Sequence, residues 1–306
     1  MARIVIFGAG WLGGALERTF LADGNQVMLS RSDIADISKV QSDVQIFNPD
    51  VLVNAAGKTG RPNIDWCEAS EENRRLTERS NVFGPMVLRL VCEQRGLYLV
   101  HLSSGCIFNG GSSSERKRPF CEVDTPCPNS YYGQTKVEAE RVIADYPNLL
   151  NLRLRMPFWG QIEYDGKLNS RDLLGKLLGY KEVLAYESNS ITYVPDLLET
   201  ARVFVKKHMT GFFHVTNPGP VTHGEILDLY KEIVDPKHEY AKLTLDEFVA
   251  KGKTVTRRSN CVLDTNKLAA VGVHLPDTMQ RLREAFAMFK NRNSCFDDCT
   301  LGKATV

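Results

Sequence analysis

The chain lacks any apolar run approaching the roughly 18 residues a membrane helix needs, so no spanning segment is expected. It also lacks an excess of either charge. Lys and Arg total 38 against 37 Asp and Glu, a formal net charge of +1, which leaves no broad basic field for nucleic acid or an anionic membrane surface. Eight cysteines are scattered along 306 residues without a C-x-x-C pair, too sparse for a disulfide scaffold. That usage fits a reduced, cytoplasmic protein. The six histidines are equally dispersed, so neither a metal site nor a Ser-His-Asp arrangement is expected. The opening MARIVIFGAG passes straight into an apolar strand and a glycine turn, unlike a cleavable signal peptide. No internal repeat or low-complexity tract is present. What remains is ordinary globular composition, 43% hydrophobic and 25% charged, with ample chain for a core.

Short apolar runs alternate with amphipathic stretches through the first half. Arg3–Phe7, Val27–Ser30, Val51–Asn54, Tyr98–Leu102 and Leu150–Arg155 read as strands. Trp11–Ala22, Asn81–Gln94 and Tyr132–Ala144 have helical spacing. This alternation predicts an α/β fold, a Rossmann-like doubly wound parallel sheet over residues 1–155. Beyond Met156-Pro157 the pattern loosens. Helices over Arg171–Leu178, Asp196–Lys207, His223–Ile233 and Asp277–Phe289, with a strand at Phe212–Thr216, predict a smaller α+β substrate lobe over 156–290. Some of its segments could return to the first domain. Residues 291–306 are polar and read as a poorly ordered tail.

The first turn, Gly8-Ala9-Gly10-Trp11-Leu12-Gly13, lies between a strand and a helix, as a dinucleotide site requires. One glycine permits the tight turn, one lets backbone approach a pyrophosphate, and one lets helix and strand pack closely. The helix N-terminus adds N–H groups for phosphate charge. After the second strand come Ser30-Arg31-Ser32-Asp33. Arg31 is placed to grip a 2′-phosphate, with the Ser30 hydroxyl assisting, which favours NADPH. Asp33 keeps NADH open, because a carboxylate there would suit a free 2′-hydroxyl. Asn54-Ala55-Ala56, after the third strand, is expected to line the same cofactor.

Tyr132 and Lys136 lie at i and i+4, on one helical face. An ammonium beside a phenol favours the phenolate and would lower the tyrosine's pKa toward the working range. Ser103-Ser104 ends the Tyr98 strand, where open α/β sheets place ligands, and can hold a substrate carbonyl. With the glycine turn, this set resembles the extended short-chain dehydrogenases/reductases over about residues 1–290. The resemblance implies Ser104, Tyr132 and Lys136 as catalytic residues, with Asn81 supporting the proton path. The family's usual G-x-x-G-x-x-G spacing is one residue looser than the turn found here.

Within that branch the sequence is most similar to the dTDP-4-dehydrorhamnose reductases and their bifunctional relatives. Simple reductases of that group carry Ser-Thr-Asp-Tyr-Val-Phe where this chain has Ser103-Ser104-Gly105-Cys106-Ile107-Phe108. Gly-Cys in place of Asp-Tyr resembles the 3,5-epimerase/4-reductase type that makes UDP-L-rhamnose from UDP-4-keto-6-deoxyglucose. Thr59–Glu68, Arg153-Leu154-Arg155-Met156-Pro157, Thr216-Asn217-Pro218-Gly219 and Arg258-Ser259-Asn260 agree with it. A 4-keto group acidifies the protons on C3 and C5, so a base and an opposing acid could invert both carbons through an enolate. A free thiol titrates near ~8.5 and responds to nearby cations, which suits Cys106 as that base. The resemblance implies Lys176 as the acid. The plainer readings are a small buried hydrophobe for Cys106 and a solvated helix lysine for Lys176, with Lys181 five residues on.

Arg61, Asn81, Ser104, Asn217, Arg258 and Asn260 are the expected contacts to the UDP- or dTDP-linked sugar, with the arginines suited to a pyrophosphate. A homodimer is compatible with this reading. Two other functions stay open: a monofunctional 4-reductase, and a reductase-like regulatory subunit without catalysis.

Overall fold

The computed structural model describes residues 1–110, 118–163, 167–253 and 259–301, with side chains to residue 290. Six strands form the central sheet: β1 (Arg3–Phe7), β2 (Gln26–Ser30), β3 (Val51–Asn54), β4 (Tyr98–Ser104), β5 (Leu149–Leu154) and β9 (Gly211–His214); the short strands β6 (Pro157–Phe158), β7 (Glu182–Leu184) and β8 (Thr192–Tyr193) lie outside it. All pairings within it are parallel, in the order β2-β1-β3-β4-β5-β9. Strand order reverses between β1 and β3, and a ligand crevice opens at such a point, at the carboxyl ends of the strands.

Buried strands between two helical layers read as continuous apolar runs, because both faces are covered. Ile4 and Ile6 pack with Leu16 and Phe20 of α1 (Trp11–Ala22) and with Leu197 and Phe204 of α7 (Val194–Lys206). Val5 and Phe7 face the other way, against α2 (Ile37–Phe47) and α4 (Gly84–Arg95). The helix α5 (Tyr131–Ile143) completes that second layer through Ile143.

The helix expected over Asn81–Gln94 has a different build. α3 (Glu71–Glu78) passes through a single π turn, Arg79–Phe83, into α4. Pro85 has no N–H to give the carbonyl of residue 81, so the regular ladder is interrupted there and a wide turn takes its place.

Two segments of the second half belong to the central layers. α7 lies beside α1, and β9 adds to the sheet beside β5. The separate lobe has its own core, built by Leu173, Leu174 and Leu177 of α6 (Leu173–Leu178), by α8 (His223–Ile233) and by Leu282 and Phe286 of α11 (Thr278–Leu301); the short helices α9 (Leu245–Ala250) and α10 (Asn266–Ala270) come between α8 and α11 in the chain. The last turns of α11 enter the polar segment beginning at Asn291, and 302–306 lie outside the described residues. Among the described residues, no helix is long and apolar enough to cross a membrane.

Candidate active site

The glycine turn sits at the point where strand order reverses. Gly8 has φ +103°, and a Cβ there would lie 2.5 Å from the Ala56 nitrogen, so no other residue fits. A Cβ at Gly13 would lie 1.9 Å from the Gly8 carbonyl oxygen, so α1 can press on β1 only through a glycine. Gly10 differs. A Cβ there would meet no atom of the chain within 4 Å, and no side chain caps α1. Its backbone and the helix N–H groups behind it are therefore open to an anion, and a pyrophosphate fits that cradle. Trp11 and Leu12 turn their side chains toward the core, so only their backbone can take part.

Two of the expected cofactor contacts are committed inside the protein. The Ser30 hydroxyl donates to Asp43 Oδ2 at 2.5 Å and accepts from Ser32 N, so it is not free for a phosphate. Asn54 is fully buried, its Oδ1 accepting from Ala56 N and its amide donating to His101 Nδ1. It shapes the Ala55-Ala56 turn from behind. Asp33, which kept the alternative cofactor open, is engaged by Arg79 at 2.9 Å. Arg31 is exposed and has no ion pair among the described residues, so it remains the group suited to a 2′-phosphate.

β4 delivers Ser104 and α5 delivers Tyr132 and Lys136, and all three are buried. Ser130 caps α5 by accepting from Gly133 N, which fixes where Tyr132 starts on the helix. A Ser104 hydrogen bond reaches Tyr132. The expected lowering of the tyrosine's pKa by Lys136 does not occur: burial, then the neighbouring Cys106, push the phenol well up, against a smaller opposing pull from Ser104 and Arg155. The phenol therefore stays protonated near neutrality. Burial brings Lys136 down to about 8, while Glu140, one turn on, opposes the change. Glu140 is held in turn by Arg153 at 2.7 Å, Ser103 at 2.6 Å and Asn151 at 3.0 Å, a hydrogen-bonded polar layer beneath the site.

Asn81 sits on the π turn, buried, with its amide donating to the Lys58 carbonyl and Thr135 Oγ1 and its Oδ1 accepting from Lys58 N. A Cβ at Gly57 would lie 3.3 Å from Asn81 Oδ1 and 3.5 Å from Lys136 Nζ, so the two side chains flank one spot. Its place is behind the lysine, and its side chain is committed to the Lys58 backbone and the Thr135 hydroxyl, not to a sugar.

Cys106 lies two residues past Ser104, on a short 3-10 turn, Gly105–Ile107, capped when Ser104 Oγ accepts from Cys106 N. It is half-buried. Sequence reading gave its neighbour no role: Arg155 Nη1 donates to Cys106 Sγ at 3.4 Å. The signal was register. Ser104 pairs with Leu154, which sets residue 155 beside the 3-10 turn, and only the sheet pairing reveals it. Lys176 reaches the same region from α6. Burial, then Arg171, lower its pKa, and Asp172 and, less, Cys106 draw it back up. Asp172 caps α6 through Leu174 N and also accepts from Trp159 N and Gly160 N, its carboxyl raised by burial to about 6. Arg171 donates across the cleft to Thr59 Oγ1 at 2.6 Å and the Gly60 carbonyl at 2.8 Å. Lys181 is exposed.

The remaining substrate expectations divide. Arg61 is exposed near Arg171, on the cleft side of β3. Asn217 is buried and spent on Asp196 at 2.6 Å, on Tyr193 N and on the Pro276 carbonyl, so it ties α7 to the loop before α11 and touches no ligand space. Asn260 is buried and donates to Glu187 at 2.5 Å, which commits its amide to the lobe. Arg258 lies outside the described residues. No metal-binding group of side chains occurs among the described residues.

The RmlD substrate binding domain family model matches residues 2–291. A bifunctional dTDP-4-dehydrorhamnose 3,5-epimerase/dTDP-4-dehydrorhamnose reductase of Arabidopsis thaliana is 35% identical over 270 residues, 87% of this chain and 86% of that protein. A trifunctional UDP-glucose 4,6-dehydratase/UDP-4-keto-6-deoxy-D-glucose 3,5-epimerase/UDP-4-keto-L-rhamnose-reductase of the same plant is 34% identical over 274 residues, 87% of this chain but 39% of that longer protein. The crystal structure of the L780 UDP-rhamnose synthase of Acanthamoeba polyphaga mimivirus superimposes with a TM-score of 0.84 at 28% identity, covering 94% of this chain and 99% of that one.

Proposed function

We propose, from the premise that this chain belongs to the RmlD substrate-binding-domain family, that it is a sugar-nucleotide oxidoreductase that also epimerises its substrate before reducing it. The substrate class is a UDP- or dTDP-linked 4-keto-6-deoxyglucose, and the product is the corresponding L-rhamnose nucleotide. One observation carries the reading: a thiol in contact with a buried guanidinium stands two residues beyond Ser104, on the same cleft as Tyr132 and within electrostatic reach of Lys176.

The Cys106 thiolate takes the proton from C3 or C5, becoming a thiol and leaving an enolate on the ketone. The Lys176 ammonium returns a proton to the opposite face, becoming an amine, and solvent restores both groups. Repeating this at the second carbon completes the inversion. Ser104 then holds the C4 carbonyl, and the Tyr132 phenol gives its proton to the developing alkoxide. Lys136 keeps a positive charge beneath that proton transfer. NADPH, when bound along Gly8–Gly13 with its 2′-phosphate at Arg31, supplies the hydride to C4.

The test is incubation with UDP-4-keto-6-deoxyglucose and NADPH, with the sugar identified by NMR, and deuterium uptake at C3 and C5 followed without NADPH. Cys106→Ala is expected to abolish deuterium uptake and conversion of the 4-keto-glucose compound while sparing reduction of the 4-keto-rhamnose compound. Equal loss on both substrates would reduce the reading to a simple 4-reductase. No NADPH oxidation with either substrate would leave a regulatory subunit.

A further inference from the structure

We infer that Arg155 is the residue that holds Cys106 as a thiolate, and that Gly105 is glycine so that this guanidinium can reach the sulfur. The inference rests on the proposed role of Cys106 and adds the group that makes the role workable.

Arg155 is 2% exposed. Its Nη2 donates to Asn189 Oδ1 and to the Ser259 carbonyl, its Nη1 to Cys106 Sγ, and its Nε finds no partner. Among the described residues, no carboxylate pairs with it. A buried cation with no counter-ion is costly, and a fold that keeps one must gain from it elsewhere. The ionisable group in contact with it is the Cys106 thiol, and a charge-assisted hydrogen bond to sulfur favours the anion.

The other groups facing that sulfur do this less well. Tyr132, from α5, stays neutral and would repel a thiolate if ionised. Lys136, also from α5, and Lys176, from α6, are both brought down by burial, so their charge fades on the alkaline side. Cys261 is neutral, its thiol pushed up to about 11 by burial while donating to the Gly105 carbonyl. Arginine keeps its charge throughout. The glycine follows from the packing. A Cβ on residue 105 would lie 2.8 Å from Leu263 Cδ1 and 3.3 Å from Arg155 Cδ, so a side chain there would crowd Leu263 first and the guanidinium stem with it.

The experiment is alkylation of the whole protein by iodoacetamide at pH 7, without substrate or NADPH, with modification read at the Cys106 peptide by mass spectrometry. Exposed Cys127 serves as the internal reference. Arg155→Met is expected to slow Cys106 alkylation by ~10-fold or more relative to Cys127, with Arg155→Lys recovering part of the rate. Gly105→Ala keeps the arginine yet is expected to slow the reaction in the same direction, and it carries the test if Arg155→Met does not fold. The acid limb of the C3/C5 deuterium-uptake profile moves to higher pH in both. Cys106 rates within about 2-fold of the parent in both Gly105→Ala and a folded Arg155 variant would overturn the inference. If alkylation falls as expected but Cys106→Ala still exchanges deuterium, the arginine–thiol contact stands and the base assignment fails.

Discussion

Ser104, Tyr132 and Lys136 reach the cleft from adjoining elements, β4 and α5, with a hydrogen-bonded polar layer of Glu140, Arg153, Ser103 and Asn151 beneath them. Cys106, Arg155 and Lys176 arrive from three segments separated by up to seventy positions, two of them beyond regular strand ends. Hydrogen bonds hold them: Ser104 to the Cys106 turn, Asn189 and Ser259 to Arg155, Asp172 and Arg171 to the start of α6. The groups proposed for reduction are thus built into the sheet, and those proposed for epimerisation are strapped onto it. A group fixed by a packed helix tolerates loss of one contact better than a group fixed by a single strap.

The sharpest way to separate the two sides is Tyr132→Phe. Removing the phenol should lower reduction of the 4-keto-rhamnose compound by roughly 10²–10⁴-fold, the usual worth of a positioned general acid. Deuterium uptake at C3 and C5 should persist, since the proton donor for C4 plays no part in it. Loss of both would mean that the two sides share one group.

Arg171→Ala should act on the other side. With Thr59 and Gly60 released, the short helix carrying Lys176 loses its anchor across the cleft. Deuterium uptake should fall on the order of 10-fold, with a smaller change in reduction of the pre-epimerised sugar, because misplacement penalises the displaced group. Equal effects in the two assays would show that the strap serves cleft shape in general.

The smallest expected effect is a pH limb. Lys136 loses its proton at about 8, below the ordinary lysine value, so raising the pH through that point removes the ammonium the reduction uses. The reduction rate should drop about 2-fold at pH 8 and continue downward, as a single deprotonation requires. Lys136→Arg, which stays charged, should lose that limb while reaching a lower maximum. A profile flat to pH 9 in the parent protein would count against the lysine.

Much of the reducing side was legible in the linear chain because its signals are local. The glycine turn, the i, i+4 pair and the serines at a strand end each lie within a few residues, and helix and strand geometry converts that spacing into proximity. The strand-end positions of Ser30 and Asn54 predict cofactor contacts, yet their polar atoms have nearer partners in Asp43, His101 and Ala56 N. Asn217 and Asn260 failed for the same reason: a buried amide must satisfy its bonds, and the lobe did so internally. The π turn at Arg79–Phe83 was hidden because periodicity alone does not register one extra residue in a turn.

By itself the sequence determined the alternating parallel sheet, the cradle at Gly8–Gly13 and the Ser-Tyr-Lys set, since periodicity and short spacing encode these directly. Tertiary structure decided which buried polar groups were spent on the fold and which faced the cleft. It also decided that a guanidinium forty-nine positions away would meet the Cys106 sulfur. Strand register brings that pair together, and register is settled by the packing of both sheet faces at once, which no local stretch of sequence contains.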